Sequence, residues 1–447
     1  MFQTIRNAWN VPDLRKKIIF TLFIIIVFRL GSVIPVPFLD VEALKGYMAD
    51  AANEGLFAQF NMFSGGAFAH ATLFAMSVQP YINSSIIMQL LTVGLPVLER
   101  LSKEGEEGHK KIAAITRYVT VIIGVMQGVG FYWILKNQHH GARYIVPFRT
   151  GWESWFAAVV IVAAFTAGTA MMMWLGEQVN KKGIGNGISI LLFAGIVSRM
   201  PDMIGKLWVS ITSAIENPES LSGNFIFVPL FVVMFLGLIW VIVFMNDAER
   251  RIPIQYAKRL VGRKMYGGQN SHLPIKVGLT GVMPIIFAST ILMLPVTVYQ
   301  LTHAKTIEQA EPGLWKTILT ALSPNGWLYA GLYFLLIIMF AYFYVSIQYN
   351  PIEIANNLKQ SNGTVPGIRP GKPTSDFITK VLSKVTLIGA LFLAFIALLP
   401  MAFGGISSLS YLSFGGTSII ILVGVALETV KQMEAQMMQR HYKGFLD

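Results

Sequence analysis

The run IIFTLFIIIVFRLGSVI occupies residues 18–34 and carries a single charge, Arg29. Its apolar residues are continuous. They neither alternate, as on a half-buried strand, nor leave the polar stripe of a surface helix. A bilayer crossing takes roughly 20 mostly apolar residues. In lipid only a helix or a closed barrel satisfies the backbone, and a continuous apolar run selects the helix. The segment has no small-residue cleavage pattern behind it, so it reads as a permanent first span rather than a removable leader.

Similar runs recur along the 447 residues, near 73–93, 113–135, 155–175, 185–200, 225–245, 275–300, 327–347, 382–402 and 411–430. The fifth of the ten is short and opens on Gly183, Gly185 and Gly187. Composition agrees: 54% of residues are hydrophobic and 13% are charged, against about a quarter charged in soluble domains. The expected fold is an all-α polytopic membrane protein of ten transmembrane helices. There is no cysteine, which removes disulfides, thiol chemistry and cysteine-held zinc or iron–sulfur groups.

The net charge is +12. In a membrane protein this reads first as topology, because lysine and arginine collect in cytoplasmic loops. With ten spans, 24 of the 35 basic residues fall on one side and 8 on the other. The bias places both termini in the cytoplasm. One segment disagrees: Lys136, Arg143 and Arg149 lie on the outer side with only Glu153 opposing them.

Two features stand apart. The first is residues 60–70, FNMFSGGAFAH. This stretch is too short and glycine-broken to cross. It reads either as a re-entrant, plug-like half-helix lining a cavity or as an amphipathic stretch on the outer surface. The second is a pair of long cytoplasmic loops, near 246–274 and 348–380; long loops are often functional. Five spans on each side of residue 205 also suggest an inverted repeat, 1–205 and 206–447, as in many transport proteins.

Chemistry of other kinds is missing from the sequence. There is no nucleotide-binding G-x-x-x-x-G-K-[ST] and no H-E-x-x-H, and the seven histidines fall in loops or tails. Arg29, Arg117 and Lys384 lie in or at the ends of spans, with no carboxylate pair or histidine relay beside them. Ion-coupled transporters usually carry such groups. A secondary transporter, a membrane-embedded enzyme and a helical scaffold remain the rival classes. No cofactor, metal or catalytic residue is indicated, so energy has to come from outside the chain.

Several motifs then become specific: Phe60 to Gly66 (FNMFSGG), Pro80 to Ile86 (PYINSSI), Trp174 to Gln178 (WLGEQ), Gly183 to Ser189 (GIGNGIS), Tyr256 to Arg259 (YAKR), Pro366 to Gly371 (PGIRPG) and Phe414 to Ser418 (FGGTS). In this order they closely resemble the SecY family. The resemblance implies two pseudo-symmetric halves of five helices around an hourglass pore. It implies a short plug helix beneath the constriction, containing Asn61, Met62, Phe63, Ser64, Gly65 and Gly66. It implies partners: SecE and SecG in the membrane, the SecA motor ATPase or a ribosome in the cytosol, signal peptides and unfolded secretory chains as cargo, and membrane lipid at the side. Carried over residue by residue, it places Val78, Ile82, Ile188, Leu192, Ile286 and Ile421 in an apolar ring. A narrow apolar ring holds back water and ions by dewetting. Without the resemblance these six read as ordinary packing or lipid-facing residues.

The resemblance further implies that spans two and three part sideways from spans seven and eight. Asn83, Gln127 and Thr290 are polar residues within those spans, and polar groups there tend to hydrogen-bond across helices. Leu294 lies one turn beyond Thr290. For partner binding, Arg250, Arg251, Lys258, Arg259, Arg263 and Lys264 cluster in one long loop, and Arg369 and Lys372 lie in the other. Topology alone accounts for part of this charge. Arg369 precedes Pro370, which disfavours helix there, and its planar donor fork suits a carboxylate or phosphate partner better than lysine would. RNA phosphates or an acidic patch on a motor are the expected contacts.

Overall fold

The computed structural model describes residues 2–50, 61, 64–140, 143–148, 150–202, 204–205, 208–209, 212, 221–256, 259–261, 264–266, 270–303, 314–322, 326–406 and 416–443. Each of the ten apolar runs contributes a helix. After a short amphipathic α1 (Phe2–Asn10) comes α2 (Pro12–Gly31), which begins on a proline. Proline suits a first turn, where its missing N–H has no helical partner. A small α3 (Val41–Asp50) precedes α4 (Gln79–Gly94), which bends by 98° at Leu95 into α5 (Pro96–Lys103). Leu95 is extended because Pro96 follows it.

Then come α6 (Glu106–Asn137), α7 (Gly151–Lys182) and α8 (Gly187–Ser198). α6 and α7 approach closely where Gly124 and Gly128 face Thr166, Thr169 and Val162, the small-residue contact common between membrane helices. The short α8 is capped by Asn186, whose side chain accepts the Ile188 N–H at 3.2 Å. The second set is α9 (Leu221–Asp247), α10 (Met283–His303), α11 (Leu314–Ala321), α12 (Trp327–Gln348), α13 (Pro351–Gln360), α14 (Lys372–Ile406) and α15 (Gly416–Lys443).

Among the described residues, four helices are long and apolar enough to cross a membrane alone, five if the bent pair α4–α5 counts as one. The twelve residues of α8 rise only about 18 Å, so it would cross only together with flanking chain.

Several element boundaries differ from the sequence expectation. Residues 73–78 are turns, not helix. Ala71 and Ser77 take positive φ there, which breaks a helix, and Pro80 starts α4. The seventh helix begins at Met283, beside Pro284, rather than near 275. The two long segments expected in the cytoplasm are not irregular loops. The first folds into β3 (Glu249–Tyr256) and β6 (Asn270–Lys276), paired antiparallel, with β4 (Arg259–Val261) and β5 (Lys264–Tyr266) between them; β1 (His139–His140) and β2 (Arg143–Tyr144) form a separate small hairpin earlier in the chain. The second segment supplies α13, the start of α14, and a strand, β7 (Gly363–Thr364), that joins the far edge of β3. Alternation explains the sheet: Ile252 and Ile254 are buried while Arg251, Pro253 and Gln255 face outward. Beneath it lie Ile275, Leu358, Val365, Ile378 and Leu382.

The helices up to α8 pack mainly among themselves, and so do α9 to α15. The principal contacts between the two sets are α6 with α10, α8 with α15, and α1 with α15. A single large apolar cluster spans both sets. The basic residues that disagreed with the charge bias have local ties. Arg143 pairs with Glu42 at 2.7 Å, and Lys136 donates to Ser154 Oγ at 2.8 Å and lies over the Tyr132 ring. Arg149 is outside the described residues.

Candidate functional site

The six residues expected to form the ring come from separate elements. Val78 caps the start of α4 and Ile82 lies one turn into it; Ile188 and Leu192 share a face of α8; Ile286 is on α10 and Ile421 on α15. The fold brings all six into the one apolar cluster that joins the two sets of helices. Val78, Ile82, Leu192, Ile286 and Ile421 are buried, and Ile188 is half-buried against them. Glycines make the approach possible. A Cβ at Gly187 would collide with the Gly176 carbonyl, and one at Gly176 would meet Ile188 Cδ1 at 2.5 Å. Asn180 Oδ1 accepts the Gly187 N–H at 2.7 Å and fixes the turn between α7 and α8.

Of the plug residues, Met62 and Phe63 lie outside the described residues. Asn61 is helical, and Ser64 to Gly66 are turns, with Gly65 and Gly66 at φ of 65° and 88°. From 64 to 78 the chain is irregular but largely buried. Irregular backbone at membrane depth is tolerated where protein covers it, and here its polar groups are met internally. Asn61 accepts from Gly66 N at 2.9 Å through its carbonyl and from Ala69 N at 3.2 Å through Oδ1. Ser64 Oγ accepts from Phe68 N at 3.1 Å, and Leu73 N donates to Ile34 O at 2.9 Å. Ser198, at the end of α8, donates to Gly65 O at 3.3 Å. A stretch on the outer surface does not describe residues 64–69.

At the expected side seam, α4 packs on α6 and α6 on α10. Gln127 and Thr290 are buried and Asn83 is half-buried, whereas Leu294 is 48% exposed. The expected hydrogen bonds across the seam are not made by the amide oxygens: Asn83 Oδ1, Gln127 Oε1 and, at the start of α4, Gln79 Oε1 are buried without a partner.

The described basic residues fall on the two small sheets and the turn that follows β7. Arg250 and Arg251 are exposed on β3, and Arg251 pairs with Glu249 at 2.6 Å. Arg259 stands on β4 and Lys264 on β5, while Lys258 and Arg263 are outside the described residues. Arg369 is exposed in the turn between β7 and α14, and exposed Lys372 begins α14. Gly367 and Gly371 on either side take φ of 80° and 101° with open space around them. They shape this turn through backbone freedom. Thr374 Oγ1 ties it by donating to Arg369 O at 2.8 Å. Because β7 pairs with β3, the two segments that carry these residues fold together, which their separation of about a hundred residues in sequence conceals.

One feature has no counterpart in the sequence reading. Arg117 of α6 is ion-paired, Nε to Glu177 Oε1 of α7 at 2.5 Å, so a carboxylate does accompany this charge, from just beyond the end of the fourth apolar run. The partners are sixty residues apart, and no periodicity connects them. The WLGEQ motif containing Glu177 was the available signal.

A family model described as SecY matches residues 72–430. The protein translocase subunit SecY of Streptomyces coelicolor is 43% identical, over the full length of both chains. Among solved structures, one of a SecY protein, whose plug domain is reported to stabilise the closed state of the translocation channel, has a TM-score of 0.64 at 17% identity, covering 95% of this chain and 92% of that one. The Sec61 chain of a canine ribosome-channel complex has a TM-score of 0.60 at 16% identity, with the same coverage.

Proposed function

This chain belongs to the SecY family, and from that premise we propose that it forms the pore through which unfolded secretory polypeptides cross the cytoplasmic (inner) membrane and from which apolar helices pass sideways into lipid. It is a multi-pass membrane protein and a channel subunit rather than a catalyst. The observation that carries the reading is that Val78, Ile82, Ile188, Leu192, Ile286 and Ile421, drawn from both sets of helices, all lie within the one large apolar cluster that joins those sets. Aliphatic side chains at a constriction exclude water and ions by dewetting, and they can part around an extended chain because they form no directional bonds.

The rest of the reading follows the same geometry. Residues 1–205 and 206–447 act as two halves, each with five crossings, hinged where α8 meets α15 and opening where α6 meets α10. The segment from Asn61 to Gly66 is the plug, seated against the end of α8 by Ser198. Both termini and the β3–β6–β7 sheet lie in the cytoplasm, where the basic surface carrying Arg250, Arg251, Arg259, Lys264, Arg369 and Lys372 docks the motor SecA or a ribosome, which supplies the energy. SecE and SecG complete the membrane assembly.

The test is ion conductance. Replacing Ile82, Ile188 or Ile286 with Asn should raise the leak of the resting channel and allow export of cargo with a defective signal sequence. An unchanged leak and unchanged signal stringency in all three variants would refute a ring at these positions.

A further inference from the structure

We propose that Arg117 and Glu177 are positioning residues for the ring: their ion pair holds Ile82 and Ile188 at one level and so keeps the resting channel tight. This rests on the ring reading above. The pair joins α6 to α7 at 2.5 Å. Its depth is set by a neighbouring bond, in which Ser84 of α4 donates its hydroxyl proton to Thr116 O at 2.8 Å. Thr116 precedes Arg117, and Ser84 follows Ile82 by two residues. Tyr81, next to Ile82, lies close enough to feel both charges. On the other side, the residue before Glu177 is Gly176, the seat of Ile188 Cδ1.

Arg117 lies near the end of the third apolar run and Glu177 just past the fourth, both partly exposed; ionisable groups in and around spans are rare, usually paired, and often mark function. Neither Arg117 nor Glu177 is needed for topology, since the positive bias is carried by loops. At this level the pair crosses from α6 to α7, while neighbouring contacts link α6 to α4 and α7 to α8. Its loss would free the last turns of α7, and Ile188 with them, while the covalent and apolar framework remains.

The experiment uses the complete channel in its native membrane assembly, with R117Q, E177Q, the exchange R117E/E177R, and I188N as reference. Ion leak per channel and export of a defective-signal reporter are both normalised to channel abundance. Each single variant should raise leak and reporter export about fivefold, the effect of one partly exposed ion pair, and the exchange should return both toward the starting value. Wild-type leak in R117Q and E177Q, alongside a leaky I188N, overturns the positioning role and leaves the ring standing. A tight I188N removes the ring, and this proposal with it. Reduced abundance with unchanged leak per channel shows a merely structural pair and also overturns it. If the single variants fail to accumulate, R117K and E177D retain both charges but alter fork and reach. A smaller rise in leak supports the proposal, and none refutes it.

Discussion

At Gly187 a single added carbon meets the Gly176 carbonyl. That obstacle is backbone and has little freedom to move, unlike the Ile188 Cδ1 that a Cβ at Gly176 would meet. Gly187→Ala should therefore lower the stability of the purified channel by about 1–3 kcal/mol, as overpacking does, and Gly176→Ala by less. Thermal unfolding in detergent tests the order; equal or negligible shifts would show that α7 and α8 can separate freely. At this scale the sequence was partly legible. The glycine-rich motif was visible, and the six proposed ring positions came from the family resemblance. Side-chain chemistry between distant segments was not legible. The Arg117–Glu177 pair depends on how two helices are rotated about their axes, and continuous apolar runs carry no information about rotation. The amides at 79, 83 and 127 failed in the opposite sense: polarity suggested hydrogen bonds, and packing left their oxygens without partners.

Among the elements, helices were easier to read than their ends. Length and hydropathy located ten helices. Their starts are set by Pro80 and Pro284, whose positions near the first helical turn were in plain view but fell inside the apolar runs. The sheet escaped because its strands are short and half polar, and β7 is two residues long. The alternation from Arg251 to Gln255 was its only local signal. Its core gives a test. Ile254 is 3% exposed, and Ile254→Ala should cost about 2–4 kcal/mol locally. Limited proteolysis of the channel in membranes should then cut faster between residues 256 and 270, with α9 and α10 still protected. If Arg369 docks a partner as proposed, that binding should weaken too, because its turn follows β7. Unchanged cleavage would mean that the sheet is held by something other than this core.

For the whole molecule, the arrangement of contacts sets how it can open. The two sets of helices meet through α6 and α10 on one side and through α8 and α15 on the other, and α15 is further tied to α1 and to the end of α9, where Lys431 pairs with Asp247 at 2.8 Å. Gln127 of α6, and Gln79 and Asn83 of the neighbouring α4, bury amide oxygens without partners. A buried polar group left without its bond costs about 1–3 kcal/mol. That cost falls on the closed state and is relieved when the seam parts and admits water or a polar backbone. Gln127→Leu, close in volume and fully apolar, should therefore stabilise the closed channel. The sign is opposite to that for a hydrogen bond across the seam, whose loss would favour opening. Export of cargo with a weak signal sequence should slow by about tenfold, taking the lower half of that range, while cargo with a strongly apolar signal is affected less. Rates of both exports, measured in the same membranes, decide the matter. Faster export of the weak-signal cargo would show that Gln127 helps to hold the seam shut.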